Sequence, residues 1–202
     1  MSRSLLARSA ASLLCLGWAV AVVPAAIPPA SAAPEPAPAP KAQPLTLDEL
    51  YARLRAAEDD AEAKGIAGLI ERRLDRSGSA TADLLTERAR QAMSGRDFPL
   101  AVELLDRATT LEPGWSEGWN RRATVFWLLQ DSASAISDLK RTLVIEPRHF
   151  EAWAALGRIY MSIDEKGRAL DCFRRAAALY PRMPNLKSAL DKLVPDVDGR
   201  DL

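Results

Sequence analysis

The chain is poor in the residues that carry most protein chemistry. Among 202 residues it has two cysteines and one histidine. Cys15 lies inside an N-terminal apolar run, and Cys172 lies in an amphipathic stretch beside Phe173, where a partly buried, inert thiol is expected. Once the N-terminal run is removed, Cys172 has no partner and an internal disulfide is excluded. His149 follows Pro147 in a connecting segment with no second histidine or cysteine nearby, so a zinc site lacks its ligands and the residue reads as a surface one. No G-x-S-x-G, P-loop or H-E-x-x-H run occurs, and the carboxylates fall at helix starts or on solvated faces. The expectation is therefore a protein that is no enzyme, with no catalytic residues, no cofactor and no metal. Charge of one sign is missing too, since 27 Lys and Arg balance 27 Asp and Glu. Without a basic patch or stripe, nucleic acid and acidic membranes are poor partners.

Long apolar runs are also absent. The longest stretch, Leu13 to Val23, reaches roughly 15 residues even when extended to Ile27, and a spanning helix needs about 20. Pro24, Pro28 and Pro29 interrupt any extension. Arg3 and Arg8 precede the run and Ala30-Ser31-Ala32 closes it, the pattern of a cleavable signal peptide over residues 1–32. A retained membrane anchor is the rival reading. Lipidation at Cys15 fits poorly, because Leu14 stands directly before the cysteine, inside the apolar core. Cleavage removes Arg3 and Arg8 and no acid, which leaves a net charge of about −2 on the mature chain, with no membrane span. Residues 33–45 follow as a Pro/Ala-rich, extended linker carrying Pro34, Pro36, Pro38, Pro40 and Pro44.

What the chain has in abundance is a period. Pro113, Pro147 and Pro181 stand 34 residues apart, as do Trp119 and Trp153. Small residues keep the same step: Ala101, Ala135 and Ala169, and Ala89, Ala123 and Gly157. A fixed period of this size means one helical unit copied and stacked, each copy burying its apolar face on the next. Each pass has two apolar-periodic stretches suited to amphipathic helices. Small residues sit where helix backbones approach closely, and Trp119, Trp153, Phe126, Tyr160, Leu139 and Phe173 fill the larger gaps. On this reading Trp119 and Trp153 are largely buried. Turn signals divide each pair, with Asp97, Asp131 and Asp164 as N-caps of the second helix. Each unit closes on a proline, which cannot continue a helix.

The third pass reads Trp153-Ala-Ala-Leu156-Gly157-Arg-Ile-Tyr160, then Ala169-Leu-Asp-Cys-Phe173-Arg-Arg-Ala176, then Pro181. It resembles the tetratricopeptide repeat, whose pattern is W-x2-L-G-x2-Y…A-x3-F…P. The second pass keeps Trp119, Ala123, Phe126, Ala135, Leu139 and Pro147, with Arg122 and Thr142 where the third has Leu156 and Ala176. The first keeps Ala89, Ala101, Leu105, Ala108 and Pro113, with Leu85 and Ala92 in place of the aromatic residues. The resemblance covers about Ala82 to Pro181 and implies an all-α, right-handed solenoid of helix-turn-helix repeats. The units are placed at 82–115, 116–149 and 150–183. Before them, 46–80 is expected to be a helical pair, a degenerate repeat that caps the N-terminal end of the stack. After them, 184–194 is a capping helix and 195–202 a polar tail.

The resemblance also implies a groove lined by the first helix of each pair, across which peptides lie. By helical phase the inward side chains include Thr86, Arg90, Met93, Glu117, Asn120, Arg121, Thr124, Trp127, Glu151, Arg158 and Met161. The partner-binding set expected is Arg90, Asn120, Arg121, Thr124, Trp127, Arg158 and Met161. Asn120 is suited to a peptide amide, the arginines to carboxylates and Trp127 to an apolar anchor. The local alternative is that Trp127 packs on its neighbour and the arginines pair within the chain. Relatives that hold chaperone C-termini use a clamp of lysine, asparagine and arginine. Thr86, Arg90, Arg121, Glu151 and Ala155 stand at the matching places, and none carries the clamp's own residue. The expected function is a non-catalytic scaffold or adaptor, a monomer or weak oligomer that binds a partner protein or peptide. With this signal, alanine and arginine richness points to export into a bacterial periplasm. The alternatives are a self-associating structural oligomer and an accessory subunit of an envelope enzyme or transporter.

Overall fold

The computed structural model describes residues 44–199; the expected signal peptide, most of the expected linker and the last three residues lie outside them. Nine helices and no strand form the described unit: α1 Leu47–Ala56, α2 Asp60–Leu74, α3 Ala80–Ser94, α4 Phe98–Leu111, α5 Ser116–Leu128, α6 Ser132–Ile145, α7 Phe150–Ser162, α8 Lys166–Leu179 and α9 Leu186–Asp198. Pairs α3–α4, α5–α6 and α7–α8 pack within themselves and each on the next, and α9 packs on α8. This is the stacked-repeat solenoid that the 34-residue period implied.

The turns show why the period is so strict. Within each pair one residue has a left-handed backbone, at Arg96, Gln130 and Asp164, with φ of 60°, 63° and 57°. The amide one residue later donates to a carbonyl five residues back: Asp97 to Ala92, Asp131 to Phe126 and Glu165 to Tyr160, at 2.8–2.9 Å. These are Schellman closures of the first helix. Asp97 and Asp131 then cap the second helix through their side chains. In the third pair the N-cap is Glu165, without a side-chain cap, and the expected Asp164 is instead the left-handed residue. Between pairs, Trp115, His149 and Met183 each donate their amide three residues back, to Glu112, Glu146 and Tyr180. The periodic prolines occupy the second position of these turns, where a fixed φ suits them.

Core packing follows the small residues. Ala89, Ala101, Ala123, Ala135 and Ala169 are all buried. A Cβ on Gly157 would lie 2.6 Å from the Phe173 ring. At the matching places of the second pair an alanine, Ala123, accompanies the smaller Leu139, so volume is exchanged within the contact. Trp119 and Trp153 are only half-buried, contrary to expectation. Their indole N–H groups donate to the Pro113 and Pro147 carbonyls, and Arg122 and Arg175 lie over their rings. Among the described residues the buried tryptophan is Trp115, whose Nε1 donates to the Leu74 carbonyl at 2.7 Å.

The N-terminal pair does not sit where an earlier repeat would. α1 and α2 pack on each other, and α1 reaches α8 at the far end of the array. Leu50, Tyr51, Leu54, Ile66 and Ile70 bury themselves together with Phe150 and Tyr180. Arg148 pairs with Asp48 and lies over the Tyr51 ring, while Arg182 donates to the Ala57 and Glu58 carbonyls and pairs with Asp60. The hairpin is a strap along the row of inter-repeat turns, not an end cap. Its apolar stripe finds partners there: Tyr51 meets Phe150 edge-on with ring centroids 6.4 Å apart, and Phe150 in turn meets Tyr180 edge-on at 5.3 Å. At the other terminus α9 runs through Pro195 to Asp198, longer than expected from the proline. Its Leu186 and Leu193 are buried, and Lys166 holds Asp196 at 2.7 Å. In the last turn Pro195 forfeits only one helical hydrogen bond.

Candidate functional site

The first helices α3, α5 and α7 line a groove because residues three and four apart share one helix face. Its centre is a cavity of about 300 Å³. Of the eleven inward residues expected, it brings together Thr86, Arg90, Met93, Glu117, Asn120, Arg121, Thr124 and Glu151, with Ala89 and Leu105 as apolar floor. Arg158 is exposed and lies outside this lining. Trp127 and Met161 also lie outside it, 38% and 39% exposed, in the last turns of α5 and α7.

Two of the three expected arginines are engaged locally. Arg90 pairs with Glu87, and Arg121 pairs with both Glu117 and Asp75 of the strap. Asn120 is buried and donates to Glu117 at 3.0 Å, and the Thr124 hydroxyl donates to the Asn120 carbonyl. The Asn120 Nδ2 group is thus engaged by a side chain.

His149 is the residue that sequence reasoning misplaced. It is 2% exposed, not a surface residue. Its Nδ1 accepts from the Ala152 amide as N-cap of α7, and its Nε2 stands 3.0 Å from Glu117. Connections are ordinarily solvated, but the strap lies over this one: Glu71, Leu74, Asp75, Glu117 and Glu151 enclose a small void beside His149. A signal was available, since His149 falls one period after Trp115 and one before Met183, both of which also face the strap.

Two equivalent glutamates on the groove floor behave oppositely. Glu117 is opposed by burial, yet its hydrogen bond and proximity to His149, with Arg121 and Asn120, hold it below the usual carboxylate range. Glu151, one period on, is pushed up to about 7 by burial and by the neighbouring Glu71 and Glu117. The residues that serve Glu117 are replaced around Glu151: Ala154 for Asn120, Ala155 for Arg121 and Met183 for His149. No described residue donates a hydrogen bond to the Glu151 carboxylate. Near neutral pH it is therefore an acceptor, or a proton donor, left open to the groove.

Among the described residues no three potential ligands converge on a metal position, and no helix is long and apolar enough to cross a membrane. Cys172 is buried, which pushes its thiol up to about 11.

Comparison with known proteins agrees with the architecture. Residues 150–183 match the tetratricopeptide repeat family model. A tetratricopeptide repeat-containing protein of Rhizobium etli is 37% identical over 92 residues, 46% of this chain and 45% of that protein. The chain thus spans about half the length of this relative. The first such domain of Spaghetti (RPAP3), solved bound to an HSP90 peptide, superposes with a TM-score of 0.56 at 18% identity, covering 59% of this chain and 95% of that one. The Yersinia enterocolitica type III secretion chaperone SycD, solved with a peptide of the translocator YopD, gives 0.55 at 14% identity, over 58% and 95%. At such identities the likeness is one of fold. The family match is to the third helix pair, and the described residues share the fold of such domains.

Proposed function

We propose that this chain is a non-catalytic adaptor, exported to the cell envelope, that holds a segment of a partner protein in the groove of α3, α5 and α7. The observation that carries the reading is the groove floor itself. It is a concave surface on three rigid helices, part apolar and part polar, with a Glu151 carboxylate that accepts no hydrogen bond from the described residues. Repeat arrays present such surfaces to extended chains rather than to small reacting molecules. Met93, Trp127 and Met161 continue the groove as an apolar row one period apart, suited to a side-chain anchor. The two structural neighbours solved with bound peptides support the same use of the fold. Arg121 serves as a brace between the groove and the strap more than as a free ligand for a carboxylate. Export to a periplasm rests on the N-terminal Arg3, Arg8, apolar run and Ala30-Ser31-Ala32.

The test is capture by in-cell crosslinking from the source cell, comparing the parent chain with Thr124→Trp. Thr124 is exposed on the groove, so the indole blocks it without entering the core. Loss of a reproducible partner from the variant, with unchanged thermal unfolding, is the expected result. Retention of the same partner at the same yield removes the groove from the function. A mature N-terminus at Ala33 in an envelope fraction checks the address.

A further inference from the structure

We propose a second binding groove, on the side of the second helices, that takes an acidic segment of a partner protein anchored by one apolar side chain. The argument comes from two sites in the same register. Between the first two pairs, Arg122 fills the space between α4 and α6. Its Nη1 donates to Asp106 at 2.6 Å, and its Nε and Nη2 donate to Asp138 at 2.7 and 2.8 Å. Its guanidinium lies 4.7 Å over Trp119 and 5.7 Å from Phe126. The plug is complete: one cation, two carboxylates, two rings.

One period later every charged member is exchanged. Lys140 stands for Asp106, Leu156 for Arg122 and Cys172 for Asp138, while Trp153 and Tyr160 keep the ring positions. Leucine is shorter than arginine and needs no carboxylate, so no described residue fills the gap. The result is an open groove of about 590 Å³ between α6, α7 and α8. Its floor is Trp153, Leu156 and Tyr160, and its wall includes Val144, 71% exposed. The rim decides the occupant. Lys140, Arg168 and Arg175 face the groove against one carboxylate, Asp171. Arg175 is spread over Trp153 at 4.6 Å, Arg168 meets Glu165 only at 3.8 Å, and Lys140 has no ion-pair partner among the described residues. An apolar floor inside a cationic rim complements a segment with one large apolar side chain between carboxylates. This surface is separate from the α3/α5/α7 groove, toward which α7 turns Glu151.

The experiment uses the full mature chain and a fluorescein-labelled peptide with one leucine between two pairs of glutamates. A control peptide has lysines in place of the glutamates. Fluorescence anisotropy is expected to show the acidic peptide binding at least tenfold more tightly than the basic one, with affinity falling as salt rises. Lys140→Asp/Leu156→Arg/Cys172→Asp copies the plug of the preceding groove and is expected to lower affinity for the acidic peptide at least tenfold. Should that variant misfold, Lys140→Glu/Arg175→Glu changes exposed side chains only and is expected to do the same. Thr124→Trp is expected to leave this affinity unchanged, which keeps the two grooves distinguishable. Equal binding of both peptides, or affinity indifferent to Lys140→Glu/Arg175→Glu, overturns the proposal. So does acidic-peptide binding that emerges only after residues 33–43 are deleted, or a dimer that this double variant dissolves. Those results would make the occupant the chain's own linker or a second copy.

Discussion

The second and third repeats have helices of the same lengths, joined through the same left-handed turn, and opposite solutions for their polar positions. In α5–α6, the charges are internal and satisfied: Arg122 with Asp106 and Asp138, and Glu117 with Asn120, Arg121 and His149. One period on, around α7–α8, the same positions hold Leu156, Lys140, Cys172, Ala154, Ala155 and Met183. The prolines, small residues and left-handed turn residues are shared, and they suffice to set the backbone. Polar sets are therefore interchangeable within this fold provided they move together, because a half-exchanged set leaves a buried charge alone. Glu151 is the one half-exchange that persists, and its raised pKa registers the cost.

Breaking the plug gives the largest expected effect. Arg122→Ala leaves Asp138, a buried carboxylate, without its partner and should lower stability by about 3–5 kcal/mol in chemical denaturation. Leu156→Ala, at the same register beside a groove that water already reaches, should fall near the lower end for its type, about 2 kcal/mol. If the arginine variant loses less than the leucine variant, the plug is not what holds the second pair to the first. Gly157→Ala comes next: the added methyl meets Phe173 and should cost about 1–3 kcal/mol. Adding Phe173→Leu, which recreates the Ala123 and Leu139 combination of the second repeat, should recover most of that loss. A double-mutant cycle with no coupling would contradict the volume-exchange reading.

The glutamates sharpen the comparison through pH. The folded-state pKa of Glu151 is raised to about 7, so its contribution favours the fold in acid and is lost as pH climbs through about 7. Glu151→Gln should therefore gain stability over the parent by about 1–3 kcal/mol at pH 8 and little at pH 4. Glu117, held low, contributes above its unfolded pKa and loses this as pH falls, so Glu117→Gln should be worse than the parent at pH 7 and converge with it in acid. Parallel pH curves for the two variants would show that their surroundings do not differ as described. The smallest effect is expected from Arg182→Ala, whose exposed contacts with the strap should be worth about 1 kcal/mol or less.

Much of this architecture was legible because it is written in spacing. The helix pairs, the close contacts at Ala89, Ala123 and Gly157, and most of the groove lining follow from a 34-residue step and helical phase. The Asp164 cap missed by one residue because the local Asp-Glu pair is ambiguous; the register from Asp97 and Asp131 points to Glu165. Position of the N-terminal hairpin was not legible by counting back one period, since amphipathic helices of equal length can dock elsewhere. The available clue was a pair of arginines, Arg148 and Arg182, in the same turn position of successive repeats; both reach the strap. The third repeat meets the family model, whereas in the second Arg122, the cation of the plug, and Thr142 stand at signature positions. Burial of His149 and the split between the glutamates depend on tertiary neighbours that no local pattern carries.

Solenoids generally gain or lose units easily, since each contacts only its neighbours. This one carries a gauge. The 15 residues of α2 span about 22 Å, from the Arg182 contact at one end to the Trp115 contact at the other. A unit inserted between these turns would carry one contact out of reach of the helix, and a unit deleted would leave one without a seat. Duplication and loss of repeats, the usual route by which such arrays evolve new lengths, is closed to the stretch beneath the strap and open only beyond it.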